Sequence, residues 1–328
     1  MQLLSRAKIT AVGAYLPEQV LVNADFEKLV DTSDEWIVTR TGIKKRHKVA
    51  ENEFASDLAV KAIENLAANN SVTLEDVDML IVTTFTADLL TPSTAGIVQG
   101  RLGLHKAGVL DINAACAGFV YGLLLANSFI TVGQNKKVLV VASEAMTRVT
   151  DYTDRTTCVL FGDGAGAFLV ELDENNPGFL AANFGADGEL GKGLYCTSIA
   201  NSWNGVPLER IGKLYQDGRA VYNYVIKNIP EAIQILLNKT EMEVDEINWF
   251  VPHSANMRMI QSIADKSGIP MDKTLASIAE YGNTSSATIP LAIWEALKEN
   301  KIRKDDTLLL YGFGGGLNHA GAIIKWQY

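Results

Sequence analysis

The chain has 328 residues, 48% hydrophobic and 20% charged, with a formal net charge of −9. This composition suits a globular protein with a large core, leaves little room for disorder, and argues against nucleic acid as a partner. Cys116, Cys158 and Cys196 form no paired disulfide framework, and His47, His105, His253 and His319 stand isolated, so neither residue type shows a metal-ligand spacing. The start, MQLLSRAKITAVGAYLP, lacks the apolar stretch of a signal peptide, and a reducing cytoplasm is the expected compartment.

Strands and helices alternate along the chain, the pattern of an α/β fold. Lys8 to Tyr15 reads as a strand, KKRHK at Lys44 to Lys48 as a solvated loop, and Ala55 to Asn69 as a helix. A buried strand is predicted at Val77 to Phe85, a helix from Ser93 to Leu102, and an interior strand at Val109 to Ile112. From Ala117 to Ile130 apolar residues fall on nearly every side, which predicts a core helix rather than a membrane span, because Asn127 and Ser128 interrupt it. Strands follow at Lys137 to Ala142 and Gly166 to Leu172.

The second half echoes the first. A helix is expected from Gly218 to Asn238, a strand at Ile247 to Val251 ending at Pro252-His253, and a helix from Asn256 to Lys266. Another helix begins after Thr284, and strands close the chain at Thr307 to Tyr311 and Gly321 to Trp326. The boundary between halves 1–175 and 176–328 is placed near residue 175, with no linker to mark it. FGDGAGAFLVEL (Phe161 to Leu172) holds a loose dinucleotide-type glycine motif, but a strand follows it where that motif needs a helix. That run and GFGGG (Gly312 to Gly316) read as tight connections between strands.

Chemistry-bearing residues gather where apolar runs stop: Cys116 in AACAGF, His253 in VPHSAN, Asn283 in YGNTSS, and the GFGGG run. Strand ends are where α/β folds build their sites. Cys116 stands at a helix N-terminus, where free backbone N–H groups favour thiolate over thiol. Taken singly, a core cysteine, a hydrogen-bonded histidine and a helix-capping asparagine explain each position as well.

Taken together, the motifs closely resemble the β-ketoacyl-acyl-carrier-protein synthase III family, which has the thiolase fold. DTSDEWIVTRTGI (Asp31 to Ile43) is similar to that family's N-terminal signature nearly residue for residue. AACAGF, TDRTTCVLFGDGAGA, HSAN, YGNTSS and FGGG follow in the family's order, so the resemblance covers almost the whole chain. It implies two pseudo-repeated α/β halves in an αβαβα layered arrangement. It also implies a decarboxylative Claisen condensation of an acyl-coenzyme A primer with malonyl-acyl-carrier protein, which begins type II fatty acid synthesis.

By the same resemblance Cys116 is the acyl-accepting nucleophile, its thiolate formed without an adjacent base. The backbone N–H groups of Cys116 and Gly315 form the oxyanion hole, with glycine at 315 permitting close approach. His253 and Asn283 donate to the malonyl thioester carbonyl, and Phe313 shields the departing carboxylate. Trp36, Arg40 and Arg155 meet the adenine and phosphates of coenzyme A. Thr32, Gly218, Tyr222, Ala255 and Asn256 line its pantetheine channel, and Arg258 contacts the carrier protein. Acyl-CoA is a substrate, and no cofactor, metal, nucleic acid or membrane is implied; the protein is expected to be a homodimer.

Some positions depart from the family pattern. Ser254 replaces the commoner Gln, which leaves the chemistry intact. Thr91 stands where a neighbouring subunit often places Phe in the primer pocket, so longer or branched primers are expected. Tyr222 replaces Phe, Asn223 replaces a residue that is often basic, and LNHAG after FGGG brings in His319, which reads as structural. The rival enzyme reading is acyl transfer without decarboxylation in a specialised metabolite pathway, and the rival class is a non-catalytic carrier-binding protein.

Overall fold

A computed structural model describes residues 3–328. The first sheet comprises β1 (Ala7–Tyr15), β2 (Met79–Thr83), β3 (Gly108–Ile112), β4 (Lys137–Ala145) and β5 (Asp163–Leu172), in the order β1-β5-β4-β2-β3. β2 lies parallel to β3 and β4, while β5 runs antiparallel to both β4 and β1. The second sheet comprises β6 (Phe179–Ala186), β7 (Trp249–Pro252), β8 (Thr307–Gly314) and β9 (Asn318–Lys325), in the order β7-β8-β9-β6. Here β7 is parallel to β8, and β9 is antiparallel to β8 and β6. The two sheets therefore repeat one topology, with β3 as an extra edge strand on the first.

Seven helices cover these sheets: α1 (Asp34–Thr41), α2 (Ala55–Asn70), α3 (Thr94–Leu102), α4 (Gly118–Thr131), α5 (Gly218–Thr240), α6 (Met257–Ser267) and α7 (Thr288–Lys298). Helices α2 and α3 bury Leu58, Ile63, Leu66 and Val98 on the outer face of the first sheet. Between the sheets, α4 and α7 pack Phe119, Leu123, Ile289 and Ile293 against Val140 and Phe168 on one side and Leu308 and Leu310 on the other. Helices α5 and α6 close the outer face of the second sheet through Ile229, Leu236 and Ile263. The result is the five-layer αβαβα architecture expected from the sequence. All nine residues of β4 are buried, which explains its unbroken apolar run: a strand covered on both faces has no polar side to alternate with. Among the described residues no helix is long and apolar enough to cross a membrane.

Three local expectations need correction. Lys45–Lys48 is a strand paired antiparallel with Gln19–Val22 rather than a loop. Its Arg46 is fully buried. The guanidinium donates to the Val159 carbonyl and, at 2.6 Å, to Asn23 Oδ1, and lies 4.4 Å from the centre of the Phe26 ring. Burial lowers Arg46 to about 10, so it keeps its charge at neutral pH. Second, Gly164 and Gly166 of FGDGAG fall inside β5 rather than in a turn. A Cβ at Gly166 would stand 2.5 Å from Pro290 Cβ, so the missing side chain lets the first sheet seat against α7. Third, Val109 to Ile112 is not interior: β3 is an edge strand of the first sheet, and Val109 is exposed.

Arg46→Met should fold but lose about 3 kcal/mol of stability, because the Val159 carbonyl and Asn23 amide oxygen lose a buried donor. Urea unfolding that leaves the midpoint unchanged would show that the buried guanidinium contributes nothing to stability.

Candidate active site

Cys116 occupies a single 3-10 turn, Ala115–Ala117, that runs directly into α4. Ala115 sits at φ 43°, a left-handed conformation unfavourable for a residue with a Cβ, so local strain lies immediately before the sulfur. An equivalent turn, Ser285–Ala287, precedes α7, and Ser285 has φ 51°. In both turns an asparagine two residues earlier accepts the backbone N–H: Asn113 from Ala115 at 3.4 Å, Asn283 from Ser285 at 2.9 Å. The duplicated fold thus places related turns at the heads of its two central helices, one bearing Cys116 and the other following Asn283.

His253 follows β7, with 2% of its surface exposed, and its backbone N–H donates to Tyr311 O at 2.8 Å. Its Nδ1 lies 2.8 Å from Thr288 Oγ1, and its ring meets Phe313 edge-on with centroids 5.2 Å apart. Asn283 is held through its own backbone, which donates to Leu160 O at 2.9 Å and accepts from Gly162 at 3.1 Å. With Oδ1 committed to Ser285, its Nδ2 is free to donate. Cys116, His253, Asn283, Phe313 and Gly315 all line one cavity of about 890 Å³. The gathering of these residues, expected from scattered motifs, is what the fold delivers.

The electrostatics correct one expectation. Burial pushes the Cys116 thiol up to about 12, and nearby Glu144 acts in the same sense. The backbone N–H groups of Cys116 and Gly315 and the Ser285 hydroxyl point at the sulfur and favour the thiolate, but burial outweighs them. The resting group is therefore a thiol, not a ready-made thiolate. His253 is driven the other way, down to about 3 by burial, and is neutral at physiological pH.

The reason for glycine at 315 also changes. A Cβ there would meet Ala115 and Leu194 at an ordinary 3.5 Å, whereas one at Gly314 would lie 2.7 Å from Cys116 Cβ and 3.0 Å from its sulfur. Gly312 is equally constrained, 2.7 Å from Ala117 Cα. Close approach is thus required of Gly312 and Gly314, while Gly315 contributes its N–H.

The remaining predicted residues form the mouth and its surroundings. α1 is capped by Ser33, whose Oγ accepts the Trp36 N–H at 3.1 Å, and by Gly42, where a Cβ would stand 2.7 Å from Met257 Cβ of α6. Trp36 has the Arg155 guanidinium 4.9 Å and the Arg40 guanidinium 6.0 Å from its ring centre. Thr32 Oγ1 is buried with no partner among the described residues. Ala255 and Asn256 line the cavity, and Asn256 Oδ1 caps α6 by accepting from Met259 N at 2.9 Å. Gly218 opens α5, and Tyr222 on that helix binds Ser262 of α6 at 3.0 Å. Arg258 lies exposed near the start of α6. Thr91 is exposed and off the wall of the cavity, although the preceding Leu89 and Leu90 line it. His319 is buried against Tyr311, whose hydroxyl is 2.9 Å from Nδ1, a structural position. Ser254 is fully buried and accepts Ser277 N–H at 3.1 Å. Among the described residues no cluster of His, Cys, Asp or Glu could hold a metal ion.

Sequence reasoning missed Glu144, Ser285 and Thr288. The one available signal was a carboxylate inside the otherwise uncharged run VLVVASEAM.

A buried cysteine heading a central helix, faced by a histidine and an asparagine from the second half of a duplicated αβαβα fold, defines a thiolase-fold condensing enzyme. The family models for 3-oxoacyl-[acyl-carrier-protein] synthase III and for its C-terminal part match residues 110–188 and 237–326. The chain belongs to this 3-oxoacyl-acyl-carrier-protein synthase III family, condensing acyltransferases that start fatty acid synthesis. It is 54% identical to the β-ketoacyl-[acyl-carrier-protein] synthase III 2 of Halalkalibacterium halodurans, over 98% of this chain and 97% of that one. It is 56% identical to the protein of the same name in Staphylococcus epidermidis, over 98% and 99%. The solved synthase III of Thermus thermophilus superposes with a TM-score of 0.93 at 43% identity, over 97% of this chain and 99% of that one.

Gly314→Ala should fold yet acylate Cys116 about a hundredfold more slowly, since displacing a reacting atom by about 1 Å has that effect. Gly315→Ala keeps its N–H and has room for the methyl, so it should stay within a few-fold of the unaltered rate. Mass spectrometry of the acylated protein over time checks both, and equal rates for the two variants would contradict the packing argument.

Proposed function

We propose that this protein carries an acyl group from acyl-coenzyme A on Cys116 and condenses it with malonyl-acyl-carrier protein, releasing CO₂ and leaving a β-ketoacyl-carrier protein. The observation that carries this reading is the shared cavity of Cys116, His253, Asn283 and Phe313. Backbone N–H groups of Cys116 and Gly315 stabilise the tetrahedral oxyanions of acyl transfer. His253 and Asn283 then donate to the malonyl thioester oxygen, where charge collects as the carboxylate departs. For the neutral His253 this needs a proton on Nε2, which holds when Thr288 donates its hydroxyl to Nδ1. The Ser285 carbonyl, 3.0 Å from the Thr288 hydroxyl, already accepts the Thr288 N–H and so does not require it. Phe313, edge-on to His253, keeps water from the carboxylate and favours its loss as neutral CO₂.

Coenzyme A enters past Trp36, Arg40 and Arg155, and its pantetheine arm passes Thr32, Gly218, Tyr222, Ala255 and Asn256. Arg258 on the exposed face of α6 offers an acidic carrier protein a docking charge despite the negative total. The protein works in the cytoplasm as a homodimer whose partner brings Thr91 to the primer pocket; exposed Leu89 and Leu90 support a covered surface there. The halves 1–175 and 176–328 are read as a duplication, which the repeated strand order supports.

Radiolabelled acyl-CoA, given with and without malonyl-carrier protein, tests the reading. The label should reach Cys116 and leave as β-ketoacyl product; a stable label that never leaves would favour plain acyl transfer. His253→Ala and Asn283→Ala should still acylate, but each should lose about a hundredfold or more in condensation. Competition among acetyl-, isobutyryl- and isovaleryl-CoA should show that branched primers are accepted, and Thr91→Phe should shift preference towards acetyl. Strict acetyl preference in the unaltered protein would refute the pocket argument.

A further inference from the structure

Asn283 is held by a stretch of chain that lies outside both sheets. Its backbone is clamped by residues 160–162: the Asn283 N–H donates to Leu160 O at 2.9 Å, and the Gly162 N–H donates back to Asn283 O at 3.1 Å. Phe161 faces Asn283 in an isolated parallel bridge, so these two bonds set where the amide is aimed. The segment 159–162 precedes β5 and has no strand partner beyond that bridge. Whatever fixes this segment therefore fixes Asn283.

Arg46 grips it directly. Nε donates to the Val159 carbonyl at 3.0 Å, and Nη2 donates to the same oxygen. That carbonyl takes no backbone N–H among the described residues. The arginine stem is packed as closely as its head. A Cβ at Gly282 would stand 2.8 Å from Arg46 Cγ and 2.9 Å from Leu160 O, and one at Gly162 would stand 3.0 Å from Arg46 Cβ and 2.3 Å from Tyr281 O. The guanidinium is also held from behind: Nη1 donates to Asn23 Oδ1 at 2.6 Å, and Asn23 Nδ2 donates to Asp34 Oδ1 at 2.7 Å. The other parts of the site have separate supports. Cys116 is packed against Gly314, and His253 is tied to Tyr311 O and Thr288. The Phe161 ring, which lines the cavity, is clustered with Met146 and Leu214.

We propose that Arg46 is a positioning residue for Asn283: by gripping Val159 it fixes the clamp at 160–162, and so the aim of the Asn283 amide at the malonyl thioester oxygen. This rests on the role of Asn283 given above. Arg46 touches no reacting atom and acts only through the clamp, so its loss falls on condensation and spares the acylation of Cys116.

The experiment measures the half-reactions separately in Arg46→Met. Cys116 is first acylated by saturating radiolabelled acyl-CoA, and the acylated enzyme is then mixed with saturating malonyl-carrier protein. CO₂ release should slow about tenfold to a hundredfold, as expected of a donor displaced by up to about 1 Å. Acylation should stay within a few-fold. In an Asn283→Ala background Arg46→Met should change CO₂ release less than about threefold, because an absent amide cannot be misaimed. Asn23→Ala is the stability control. It removes a buried partner of the guanidinium but leaves the grip on Val159, so it should lower the urea midpoint and keep CO₂ release within a few-fold. Arg46→Lys keeps one donor but loses the fork, should slow CO₂ release about threefold to tenfold, and carries the same comparisons if Arg46→Met does not fold. Unaltered CO₂ release in the Arg46 variants would overturn the proposal. So would an equal fall in acylation, a full further loss on top of Asn283→Ala, or a matching loss in Asn23→Ala, since each would assign Arg46 to general stability. If the acylated unaltered enzyme released no CO₂ from malonyl-carrier protein, the reading beneath would fall and the proposal with it.

Discussion

The site depends on one tight contact: the turn bearing Cys116 wedged between the β8–β9 hairpin and the turn that follows Asn283. Gly314 stands so close to the sulfur that no side chain fits. On the other side, the Ser285 hydroxyl donates to Glu144 Oε1 at 3.0 Å. The backbone N–H groups of Cys116 and Gly315 that favour the thiolate are therefore placed by backbone packing rather than by a flexible side chain. Such a site is pre-organised, and its donors need little rearrangement as charge develops. The same packing removes water and holds the thiol protonated, so rigidity and thiol activation oppose each other.

The duplicated topology explains how one chain brings these parts together. β4 and β8 hold corresponding places in the two sheets, and their ends carry Glu144 and Phe313. α4 and α7 occupy the shared middle layer, and each begins with a left-handed residue followed by a 3-10 turn. One turn supplies the nucleophile, and the asparagine preceding the other supplies a donor. Neither sheet alone could complete the site, since Cys116 belongs to the first and His253 and Asn283 to the second.

Much of this was legible in the amino-acid order. The all-round apolar run before Asn127 marked α4 because a central-layer helix has no wet side, and Cys116 announced itself by heading it. His253 and Asn283 stood where apolar runs ended. Arg46 was misread because local charge density suggested solvent, whereas its partners, Asn23 and the Val159 carbonyl, lie far away along the chain. Glu144 showed only as a carboxylate in an apolar run, and Ser285 not at all, for the same reason: their pairing comes from meeting across the two halves. The protonation of Cys116 could not be read either, since a helix terminus is a local feature and desolvation depends on the whole surrounding fold.

The entrance carries a consequence of its own. Trp36 is a large ring near the protein surface, yet Arg155 lies over it and is itself within 4.0 Å of the exposed Asp31 carboxylate. Until a visitor arrives, the indole is roofed by a hydrated charge rather than left bare, so the vacant doorway presents no sticky apolar spot to other molecules. An incoming flat ring exchanges one stacking neighbour for another, which makes admission selective without leaving the idle protein prone to self-association.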